Sequence, residues 1–111
     1  MVVTRDTLNK TLEDAVRRII RRFEPEKIVL FGSVADGVPG PDSDIDLLII
    51  MQVENSTRQK ANEIDLLLSD RAIPMDFLVL TPEQYQQQRH IPGSIFREVE
   101  SKGLVLYERA A

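Results

Sequence analysis

The residues best suited to chemistry are three aspartates and a glycine-serine pair. Asp44 and Asp46 flank Ile45 where the chain enters an apolar run, Asp76 lies in a second apolar run, and Gly32-Ser33 ends a third. Side chains alternate along a strand, so Asp44 and Asp46 share one face about 6.6 Å apart, with Ile45 and Leu47 on the other. Two carboxylates at that spacing can converge on one ion or share two, and Asp76 from a neighbouring strand would complete the set. Crowded carboxylates repel one another unless divalent cations are present, so the pattern reads as metal chemistry rather than acid-base chemistry alone. Mg²⁺ fits best, because it uses few carboxylates and keeps positions open for phosphate oxygens.

Gly32-Ser33 supplies the complementary part. Glycine lets the backbone approach a phosphate closely, and Ser33 adds a hydroxyl and an N–H at the start of a helical turn. The bland alternative is a strand-ending turn in which Ser33 caps 34–36. Other motifs fail. No Gly-x-x-x-x-Gly-Lys-Ser/Thr run occurs, which excludes a P-loop. The run 42–46 imitates the start of a calcium loop, but Leu47 stands where glycine is needed and Val53 where the terminal glutamate belongs. There is no cysteine, which removes disulfides and thiolate zinc sites, and the one histidine, His90, precedes Pro92-Gly93 and reads as an exposed loop residue.

These residues need a scaffold. The spacing of Leu8, Leu12, Val16, Ile19, Ile20 and Phe23 predicts a helix over 4–23, ended by Glu24-Pro25. Its other face carries Arg17, Arg18, Arg21 and Arg22, a solvated face near a helix C-terminus or a contact for a partner. Strands are expected over 27–31 and 45–51. Ser56 and Gln59 have the spacing of a capping box ahead of a helix over 57–68. A third strand over 75–80 holds Asp76 among apolar neighbours, where a buried carboxylate would need a partner or a metal. Thr81-Pro82 opens a helix running toward Arg89, a short helix is expected over 94–102, and a strand over 104–107 closes the chain. This order predicts an α/β (α+β) fold, a mixed sheet of about four strands with helices packed on it, with strands two and three parallel.

At 111 residues the chain reads as one domain spanning 1–111. The balance of 18 acidic and 14 basic residues gives a formal charge of -4, no general pull toward nucleic acid, so direct nucleic-acid binding is not expected. No run approaches the ~20 apolar residues of a membrane helix, and 1–6 lack the pattern of a signal peptide, so the expectation is a cytoplasmic protein.

Gly32-Ser33, followed after ten residues by Asp44-Ile45-Asp46, with Asp76 on a later strand, resembles the signature of nucleotidyltransferases of the DNA polymerase beta superfamily. The short length and the run Phe31-Gly32-Ser33 to Pro41-Asp42-Ser43-Asp44-Ile45-Asp46 are most similar to the minimal nucleotidyltransferases, the MNT antitoxins paired with HEPN ribonuclease toxins. The resemblance covers about 5–108. It implies transfer of AMP from ATP to an acceptor hydroxyl with release of pyrophosphate, aided by two Mg²⁺ ions. Asp44 and Asp46 would hold both metals, Asp76 the metal nearest the acceptor, and Ser33 with the Gly32 backbone the β and γ phosphates. It also implies a HEPN-type toxin partner in a hetero-oligomer, with a tyrosine as the acceptor. The alternative within the resemblance is an antitoxin that neutralises its partner by binding. Family members commonly read Gly-Ser-Arg-Ala-Arg-Gly, whereas this chain has Val34 and Asp36 at the two arginine positions. That removes charge-assisted phosphate contacts and puts a negative charge near the triphosphate.

Overall fold

The computed structural model describes residues 5–31, 45–71, 73–94 and 103–110, with side chains from residue 9 onward. The elements run α1 (Arg5–Phe23), β1 (Lys27–Phe31), β2 (Ile45–Ile50), α2 (Thr57–Leu67), β3 (Met75–Leu80), α3 (Pro82–Gln88) and β4 (Leu104–Glu108). They form one sheet in the order β3-β2-β1-β4. β1 is antiparallel to both β2 and β4, whereas β2 and β3 run parallel. The mixed sheet follows from the connections: α2 carries the chain back across the sheet, so β3 re-enters in the direction of β2.

α1 and α2 pack on one face of the sheet. Leu12, Ala15 and Ile19 of α1 and Ile64 of α2 are buried against Ile28, Leu30, Ile45, Leu47, Ile49, Met75 and Val79. The opposite face has a smaller apolar cluster of Val29, Leu48, Ile50 and Tyr85, with Phe31, Leu78 and Leu80 half-buried around it. β2 is therefore apolar on both sides over Leu47–Ile50 because it lies in the middle of the sheet between two packed layers.

α1 ends just before Glu24, whose N–H still donates to the Ile20 carbonyl at 3.1 Å while its φ of +48° lies in the left-handed region. The residue before Pro25 thus leaves the right-handed helix for the left-handed region rather than for extended backbone, and Pro25 is buried in the bend. α2 is capped by Ser56, whose hydroxyl accepts from the Gln59 N–H at 3.2 Å. The full reciprocal box forms one helix later: Thr81 Oγ1 accepts from the Gln84 N–H at 3.1 Å, and Gln84 Oε1 accepts from the Thr81 N–H at 3.0 Å.

The arginines of α1 do not form one solvated face. Arg18 reaches across to the C-terminal end of α2, where it donates to Asp70 at 2.9 Å and to the Leu67 carbonyl. Asp14 lies 3.5 Å from the same guanidinium and 3.7 Å from Arg17. Arg71 also reaches that helix end, donating to the Leu68 carbonyl at 2.9 Å and to Asp65 at 2.6 Å. Two guanidinium groups thus satisfy the carbonyls that a helix C-terminus leaves open. Arg21 and Arg22 remain exposed. Beyond Ser94, the helix expected over 94–102 lies outside the described residues.

Candidate metal and nucleotide site

Register decides what the sheet brings together. Phe31 of β1 is the Cα partner of Asp46, and Asp46 of β2 is the Cα partner of Asp76 on β3. Partners across a sheet point to the same face, so Phe31, Asp46 and Asp76 form one row, with adjacent strands about 4.8 Å apart. The next row down the same face is Val29, Leu48 and Leu78, and the third is Lys27, Ile50 and Leu80. The two carboxylates thus stand at one end of the face, on an apolar floor that Tyr85 of α3 covers farther down.

Their surroundings differ. Asp46 is half-buried, between Phe31 and Asp76 and above the fully buried Leu48. Asp76 is exposed, which corrects the expectation of a buried carboxylate. It is the second residue of an edge strand, on the face opposite α1 and α2, where α3 is the one helix among the described residues. An exposed carboxylate needs no compensating partner when no ion is bound.

Asp44, Gly32 and Ser33 lie outside the described residues, as do Val34 and Asp36. The described chain stops at Phe31 and resumes at Ile45, both at the carboxylate end of adjacent antiparallel strands. Among the described residues no group of three His, Cys, Asp or Glu gathers in metal-binding geometry. Asp46 and Asp76 form a pair of hard oxygen donors on one face, a donor set that fits Mg²⁺ and not a thiophilic metal. His90 is exposed in the turn after α3.

Among the described residues, two clefts open elsewhere. One of about 380 Å³ is lined by Gln52, Ser56, Gln59, Lys60 and Glu63, at the end of the sheet away from the carboxylates. Another of about 230 Å³ lies between α1 and the α2–β3 connection, where Lys10, Asp14, Arg18, Asp70 and Arg71 meet. There the Arg18 guanidinium holds the Asp70 carboxyl below its ordinary range.

Among the described residues, no helix is long and apolar enough to cross a membrane. No curated protein matches the chain. Solved structures share its fold. A nucleotidyltransferase of Sulfolobus solfataricus is 17% identical, with a TM-score of 0.63 over 98% of this chain and 93% of that one. A toxin-antitoxin solved with AMP-PNP is 20% identical, with a TM-score of 0.56 over 87% of this chain and 73% of that one. A mutant of the toxin-antitoxin MntA-HpeT is 20% identical, with a TM-score of 0.54 over 96% and 74%. The nucleotidyltransferase domain family matches residues 10–104, a span that takes in the carboxylate row and most of the four-stranded sheet. The chain belongs to the nucleotidyltransferase domain family.

Proposed function

We propose that the chain transfers AMP from ATP to a hydroxyl, a tyrosine hydroxyl on a HEPN-type toxin partner, and thereby acts as an antitoxin in the cytoplasm. The observation that carries this reading is the in-register placement of Asp46 and Asp76 at one end of the sheet. The family match supports the reaction class. The relative solved with AMP-PNP, an ATP analogue, and the toxin-antitoxin relatives support the substrate and the partner.

Asp46 and Asp76, with Asp44 two positions before Asp46, would hold Mg²⁺. When bound, the metal neutralises charge on the triphosphate and polarises the phosphorus under attack. The acceptor oxygen attacks the α-phosphorus, the bond from that phosphorus to the bridging oxygen breaks, and pyrophosphate leaves. Asp76, exposed and solvated on the edge strand, can take the acceptor's proton, while Asp46 stays ionised as a ligand. The Gly32 backbone and Ser33 would hold the β and γ phosphates. In this reading the acceptor hydroxyl is brought by the partner.

Incubating the protein with a HEPN-type partner, ATP and Mg²⁺, then weighing the partner by mass spectrometry, tests the reading. Addition of one AMP is expected with the wild type. Asp46→Asn and Asp76→Asn should each lower the rate by at least ~100-fold while keeping the fold. An unmodified partner that is nevertheless silenced in a tight complex would leave the binding antitoxin as the function, consistent with Val34 and Asp36 where arginines are common.

A further inference from the structure

We propose that Phe31 is a positioning residue for the divalent cation: its side chain shields the β1 side of Asp46 from water and so makes Asp46, not Asp76, the dominant ligand. The inference rests on reading Asp46 and Asp76 as metal carboxylates. It starts from an asymmetry in the row. Asp46 has an apolar neighbour across the β1–β2 pair, Phe31, and another two residues along its own strand, the buried Leu48. Asp76 lies on the sheet edge and is exposed.

Directly opposed residues of an antiparallel pair place their Cβ atoms about 4.5–5.5 Å apart, so the Phe31 ring is within reach of the Asp46 side chain. Phe31 is half-buried and packs on the Val29, Leu48, Ile50 and Tyr85 cluster, which limits its freedom to swing away. A carboxylate with apolar groups on two sides meets fewer competing waters and attracts a cation through a lower effective dielectric. The same shielding at Asp76 is absent, so that carboxylate remains hydrated and available for proton transfer.

Binding of Mn²⁺ alone to the full chain, read by the loss of the free-ion signal in electron paramagnetic resonance, tests the proposal without recourse to activity. Phe31→Thr keeps strand propensity but admits water, and should weaken Mn²⁺ binding by about tenfold. Phe31→Leu keeps the site apolar and should restore most of the affinity. If Phe31→Thr does not fold by circular dichroism, Phe31→Val, smaller but apolar, takes its place and should give a smaller loss. The deciding readout is the background. Because Phe31 acts through Asp46, its substitution should have no further effect in Asp46→Asn and its full effect in Asp76→Asn. Equal losses in both backgrounds would mean general loosening of the sheet and would overturn the proposal, as would no loss at all, in either case leaving the metal reading standing. A wild-type protein that binds no Mn²⁺ would sink the proposal together with the metal reading.

Discussion

Asp46 and Asp76 carry the same functional group and differ in setting, one half-buried in the middle of the sheet and one exposed at its edge. Strand periodicity made legible in the sequence that Asp46 faces away from the side of Ile45 and Leu47, since that depends only on the pleat. The pairing of Asp46 with Asp76, and of Asp46 with Phe31, depends on register across strands, which no local pattern fixes. Glu24 shows a similar limit. The sequence shows that a helix must stop before Pro25, but not that Glu24 adopts φ +48°. A side chain with a Cβ is strained there, so Glu24→Gly should stabilise the protein by up to about 1 kcal/mol, the gain being partly offset by the greater freedom of glycine in the unfolded chain. Urea denaturation measures this, and a glycine variant less stable than the wild type would show that the Glu24 side chain outweighs the strain.

α1, α2 and α3 were legible at the scale of elements because their apolar spacing and caps are local, as Ser56 and Thr81 show. The use of their polar faces was not. Arg18 reads as one of four arginines near a helix end, yet it ties α1 to the last turn of α2 through Asp70 and the Leu67 carbonyl, groups distant in sequence. The hydrogen bond from Arg18, the backbone and the Arg18 charge all lower the Asp70 pKa from its ordinary value of 3.8. A carboxyl with a lowered folded-state pKa stabilises the fold above its ordinary value and loses that contribution as pH falls through the lowered value. Asp70→Asn should therefore lower the melting temperature at neutral pH, and the gap from the wild type should close as pH drops below 3.8. Both residues are at least partly exposed, so the effect is small and shrinks with salt. A gap that stays constant through the acid range would contradict the ion-pair account.

At the scale of the whole molecule, the layout puts the described ends of the 32–44 connection and both described carboxylates at one end of the sheet, while the α1–α2 layer covers the opposite face. In the proposed reaction a partner's hydroxyl would reach that end of the sheet. The sequence held the motif that suggested this chemistry, and the family match over 10–104 follows it, while the strand order and register are seen only in three dimensions. The central claim is that the α-phosphate, with its nucleoside, is what moves. Parallel incubations of the protein and a HEPN-type partner with Mg²⁺ and ATP labelled at either the α or the γ phosphate test it most directly. The account predicts that the partner becomes labelled from the α position only, and that Asp46→Asn abolishes the label. Label arriving from the γ position, or α label undiminished in Asp46→Asn, would contradict it.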